Sequence, residues 1–148
     1  MSRHIQFETG MSLTGTNADA RLPLKPSEEG IALLNLYAAL GGAVTGTKPL
    51  ANNPNAEKAI ALTAKELTAA KGRSLVISGS NDVSTQIVVN AINAILGSYG
   101  TTIDLDNPSY QYAGNDAEFA EFINEMNRSE VDAVFFLNTN PAYEFNDS

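Results

Sequence analysis

The feature that most narrows the fold is an alternation between residues 74 and 137. Three short apolar stretches, at 74–78, 101–105 and 131–137, are separated by two stretches with helical periodicity, at 83–96 and 116–127. Consecutive strands joined through helices run parallel, because the helix carries the chain back to the sheet end where the first strand began. Right-handed crossovers then lay the helices over the sheet faces. The pattern predicts an α/β fold, a Rossmann-like parallel sheet with helices on both faces. The 116–127 helix carries the clearest signal: Asn115 and Glu118 form an N-cap pair, while Phe119, Phe122, Ile123 and Met126 share one face. Glu118, Glu121 and Glu125 then face water. The stretch at 131–137 is apolar nearly throughout, as a strand buried on both faces is.

Upstream, Ile5 and Phe7 alternate with polar neighbours and predict a strand at 4–8, followed by an irregular segment at 11–26. Pro26 opens a helix with Ser27 as candidate N-cap and Glu28 and Glu29 in its first turn; Gly41 and Gly42 end it. Residues 45–55, rich in Thr, Gly, Pro and Asn, read as a linker loop. A further helix runs from Ala56 to Lys71-Gly72. The expected organisation is one α/β domain over 1–148: strand, loop and helix at 1–44, the linker at 45–55, then a helix and the βαβαβ unit at 56–148.

With 148 residues and 43% hydrophobic content, the chain can bury a core without disulfides or metals. Cysteine is absent, which excludes disulfides and cysteine-ligated iron–sulfur clusters within this sequence. The net charge of -8 is unevenly spread: residues 73–148 carry 2 basic against 11 acidic groups. Such a surface repels phosphate backbones and anionic headgroups, so no nucleic-acid partner is expected. No apolar run reaches the roughly 20 residues that span a bilayer, so direct membrane insertion is not expected either.

Ligands of open parallel sheets bind outside the carboxyl ends of the strands. That rule singles out Gly79, Ser80, Asn81 and Asp82, then 106–109, then Asn138, Thr139, Asn140 and Pro141. The 79–82 loop precedes a helix N-terminus, where free N–H groups can hold a phosphate, but with one glycine where the dinucleotide fingerprint has three its local features favour an ordinary turn with Asp82 as N-cap. Asn138 to Pro141 offers amides suited to a base or a pyrophosphate, and reads equally as an Asx-Pro turn. The polar 12–21 loop could line a site, with Asp19 and Arg21 as a surface pair. His4, the only histidine, has neither a second histidine nor a nucleophile beside it in sequence. Glu28 with Glu29, or Asp104 with Asp106, do not form a general acid/base couple, and no catalytic constellation emerges.

The run Asn17-Ala18-Asp19-Ala20-Arg21-Leu22-Pro23-Leu24-Lys25-Pro26-Ser27-Glu28-Glu29 resembles the Ala-Asp, Leu-Pro, Pro-Gly-Thr-Asp stretch of molybdopterin oxidoreductase large subunits. The stretches at 75–81 and 89–100 resemble that family's next strand and its helix ending in Leu-x-Gly-x-x-Gly. The stretch at 131–142 resembles its strand closing in Gly-x-Asn-Pro. Within the family the wording at 11–19 is most similar to the molybdopterin-oxidoreductase-like iron–sulfur subunit of bacterial alternative complex III, a quinol-oxidising respiratory complex.

The resemblance implies a domain of a larger subunit on the periplasmic side of the inner membrane, with the rest of that subunit and other subunits of the complex as partners. It implies no cofactor in this domain and iron–sulfur clusters elsewhere in the parent. The alternative implied is a working site for molybdopterin guanine dinucleotide in a formate-dehydrogenase-like catalytic subunit. Ser27 and Glu29 stand where the family motif has glycine and a guanine-reading aspartate, and Asn138 stands where it has glycine. A side chain replacing a glycine obstructs close approach of a pyrophosphate. The expected role is therefore a scaffold with a vestigial nucleotide cleft, not itself catalytic.

Overall fold

The computed structural model describes residues 2–50, 53, 55–109 and 114–144. They form two compact units, 1–108 and 109–148. The fold is α/β, with one two-stranded parallel sheet and six helices among the described residues.

In the first unit β1 (Ile5–Glu8) pairs in parallel with β2 (Ala20–Pro23), in the register Ile5 to Ala20 through Glu8 to Pro23. The connection contains a single helical turn, α1 (Leu13–Thr16), capped by Ser12, whose hydroxyl accepts the Gly15 N–H at 2.9 Å. The segment expected to be irregular therefore holds a turn of helix and a strand. What organises it is a polar knot that periodicity cannot register. The buried Glu8 carboxylate pairs with Arg21 and accepts the Ser12 hydroxyl at 2.6 Å. Arg21 is thus the partner of Glu8, not of Asp19, whose carboxylate instead accepts the His4 N–H at 2.7 Å.

The helices α2 (Pro26–Ala39), α3 (Ala56–Ala69) and α4 (Val83–Leu96) supply most of the core. Pro26 occupies the first turn of α2, where its missing N–H costs nothing, so the N-cap is Lys25 and not Ser27. The Glu28 carboxylate reaches back to the Lys25 N–H at 3.2 Å. At the other end of α4, Gly97 takes the left-handed conformation (φ 67°) that terminates a helix. Leu36, Ile60, Ile92 and Leu96 are buried with Leu22 and Leu24 from the end of the sheet. Leu50, inside the stretch read as a linker, is buried in the same core, and the Asn53 amide donates to the Pro23 carbonyl at 3.0 Å.

The three strands expected at 74–78, 101–105 and 131–137 enter no ladder among the described residues. At 74–80 the chain lies along α4, with its burial alternating residue by residue as in a strand. One edge of that segment is taken by side chains: Ser98 and Thr102 donate to the Ser74 carbonyl (2.9 and 2.8 Å), the Asn93 amide brackets Val76, and Gln86 donates to the Ser78 and Ser80 carbonyls. At 101–105 the backbone curls instead of extending. The N–H groups of Thr101, Thr102 and Ile103 all point at the Ser98 carbonyl, around Gly100 at φ 74°.

In the second unit α5 (Asp116–Asn127) has the bounds and the cap that its sequence predicts: Asn115 accepts from the Ala117 and Glu118 N–H groups at 3.1 and 3.3 Å. Phe122, Ile123 and Met126 are half-buried, while Phe119 stays exposed. Segment 131–137 presents Phe135, Phe136 and Leu137 to solvent, the first at 95% exposure. The turn α6 (Pro141–Glu144) follows.

Candidate functional site

The residues proposed for a nucleotide site fall in both units. Gly79, Ser80, Asn81 and Glu29 belong to the first, and Asn138, Thr139, Asn140 and Pro141 to the second.

Loop 79–82 leads into α4, whose N-terminus is the natural seat for an anion. That seat is filled from within the chain. The Asp82 carboxylate accepts the Thr85 N–H at 2.8 Å and the Thr85 hydroxyl at 2.9 Å. The Thr85 N–H, then its hydroxyl, hold the Asp82 carboxyl below the usual range, so it stays ionised where a phosphate would arrive. Upstream, Ser78 Oγ receives the Ser80 N–H at 3.2 Å and Ser80 Oγ receives the Asp82 N–H at 3.1 Å. A Cβ built at Gly79 meets nothing within 4 Å, so no neighbour demands glycine there.

Residues 104–107 form a closed turn. The Asp104 carboxylate accepts the Asn107 amide at 3.0 Å and the N–H groups of Asp106 and Asn107 at 2.9 and 3.2 Å; these bonds lower its pKa, the Asn107 amide foremost. Asp106, just after the stretch at 101–105, sits at this turn. Between residues 74 and 108 there are three aspartates, 82, 104 and 106, and no lysine, arginine or histidine. A pyrophosphate brought here meets like charge without a counter-ion.

Glu29 lies in the first turn of α2, where its carboxylate accepts the Thr9 hydroxyl at 2.9 Å. No hydrogen bond or ion pair joins it to Gly79, Ser80 or Asn81 among the described residues. In the second unit Asn138 adopts φ 52°, the left-handed conformation usual for glycine and tolerated by asparagine. Thr139 Oγ1 donates to Glu144 at 2.8 Å, and the Asn140 carbonyl accepts the Tyr143 and Glu144 N–H groups at 3.0 Å each. Pro141 opens α6. The Asn-Pro turn thus caps its own short helix.

Two features escaped the sequence reading. One is the Glu8, Ser12, Arg21 knot, packed against Gly15, where a Cβ would collide with the Glu8 carboxylate. The other is a groove of about 330 Å³ between segment 75–78 and α4, lined by Leu75, Ile77, Gln86, Val89, Asn93 and Ile103 among others. Among the described residues no group of three His, Cys, Asp or Glu side chains is placed to hold a metal ion. No helix among them is long and apolar enough to cross a membrane.

No protein-family model and no curated protein sequence matches the chain. The N-terminus of α4 carries an ionised carboxylate, and residues 74–108 around it have no cation.

Proposed function

We propose that this chain is a scaffold domain of a molybdopterin-oxidoreductase-like subunit in a respiratory quinol-oxidising complex, with a nucleotide cleft that no longer binds its dinucleotide. The observation that carries the vestigial part is the Asp82 carboxylate at the start of α4, ionised and bonded to the N–H and hydroxyl of Thr85. The family assignment rests on the ordered motifs at 17–29, 75–81, 89–100 and 131–142. In this reading the Rossmann-like sheet, with helices on both faces, belongs to the assembled subunit, where the extended segments of this chain acquire neighbouring strands. The location, the periplasmic side of the inner membrane, and the partners, the remaining domains and subunits of the complex, follow from the same resemblance.

Metal and pterin content test the reading, measured on the protein purified from its own cell together with whatever co-purifies. Iron without molybdenum, tungsten or the fluorescence of oxidised pterin is the expected result. Molybdenum or tungsten in a one-to-one ratio with pterin, retained by the chain that contains this sequence, would favour the alternative, a working molybdopterin guanine dinucleotide domain.

A further inference from the structure

An extended segment has two hydrogen-bonding edges, because the N–H and C=O groups of successive residues point to opposite sides. In segment 74–80 the even-numbered edge is largely engaged. The Ser74, Val76, Ser78 and Ser80 carbonyls are all engaged by side chains, at 2.6 to 3.1 Å, and the Val76 N–H donates to Asn93 at 2.9 Å. The odd-numbered edge is open. Leu75, Ile77 and Gly79 make no hydrogen bond among the described residues, and Leu75 and Ile77 are 46% and 80% exposed. Side chains of α4 and of the turn that follows it therefore do for one edge what a neighbouring strand would do, and leave the other open for pairing.

We infer that Leu75–Ile77–Gly79 is a strand-addition edge, filled in the assembled protein by an extended segment of a partner chain that is apolar at alternate positions and carries lysine or arginine at its end. The unpaired backbone groups define an extended occupant, since only a strand offers N–H and C=O groups at the matching spacing. The exposed Leu75 and Ile77 ask for apolar side chains at every second position. Charge supplies the third element at the far end of the segment: Arg73 precedes Ser74, but from there to residue 108 the chain has Asp82, Asp104 and Asp106 and no cation, so a strand that brings its basic end to Asp82 is complementary. The scaffold reading says only where such a strand comes from. The edge stands on its own hydrogen bonds.

The test is a titration of the whole chain, followed by backbone amide NMR, with a synthetic peptide of alternating valine and threonine ending in two lysines. The expected result is saturable binding with the largest shifts at Leu75, Ile77 and Gly79, and slowed exchange of their N–H groups. Ile77→Pro removes one donor at a position already extended and unpaired, and should weaken binding on the order of tenfold. Ile77→Lys keeps the donor but opposes the peptide charge and should weaken it as well, while Phe135→Ser, outside this segment, leaves it unchanged. A peptide of the same pattern ending in two glutamates should bind more weakly. Four results overturn the proposal: no binding, binding indifferent to both Ile77 variants, slow exchange at Leu75 and Ile77 in the free chain, or self-association of the chain through these residues. None of these bears on cofactor content, so the edge and the vestigial cleft fail separately.

Discussion

Gly15 shows how much a single residue carries in the first unit. Its missing Cβ leaves room for the Glu8 carboxylate, which joins β1, α1 and β2 through Ser12 and Arg21. Gly15→Ala forces that knot apart and should lower stability by about 1–3 kcal/mol, read from the midpoint of urea denaturation. The Arg21 guanidinium, with the Ser12 hydroxyl second, holds the Glu8 carboxyl below its ordinary value of 4.5. A depressed carboxylate stabilises the fold fully above that ordinary value and ceases to do so as pH falls through the lower folded value. Stability should therefore be level from neutral pH down to about 5 and decline below about 4.5, and Glu8→Gln should make that acid limb shallower. At Asn138 the φ of 52° makes asparagine a stand-in for glycine, so Asn138→Gly should be tolerated. Asn138→Val should cost on the order of 1–2 kcal/mol in the second unit, measured by hydrogen exchange at α6.

Among the elements, α4 both fills the core and finishes the edge of segment 74–80. Ile92 and Leu96 are sealed from solvent, and Asn93, between them in sequence, is buried while holding both polar groups of Val76. Ile92→Ala should cost about 2–5 kcal/mol by denaturant titration. Asn93→Ala strands the Val76 N–H and C=O and should cost about 1–3 kcal/mol, with faster exchange at Val76 as its specific mark. The four long helices were legible because their signals are local: Asn115 and Asp82 cap where a short polar side chain precedes a periodic run, and Gly97 stops α4 where glycine follows one; the single turns α1 and α6 were not. The strands were less so. Apolar runs at 101–105 and 131–137 say that a segment can pair, whereas pairing depends on what lies alongside. At 101–103 the Ser98 carbonyl outcompeted a ladder, and at 74–80 amides and hydroxyls of Gln86, Asn93, Ser98 and Thr102 took one edge. The candidate site shared this fate. Asp82 was legible as an N-cap, but the bonds that close the other loops, Asn107 to Asp104 and Thr139 to Glu144, appear only once the backbone is folded.

For the molecule as a whole, exposed apolar groups and an acidic surface point the same way. Leu75 and Ile77 in one unit and Phe135 and Leu137 in the other are large side chains left in water, on a chain of net charge -8. Such groups fit a domain that works inside an assembly, where partners cover them. The central claim is that the helix terminus has been surrendered to Asp82 and no longer receives a dinucleotide. Calorimetric titration of the chain with GMP, GDP and a pterin guanine dinucleotide tests it most directly. The account predicts no saturable heat with any of the three up to millimolar concentration; micromolar binding that is abolished by Asn140→Ala would contradict it.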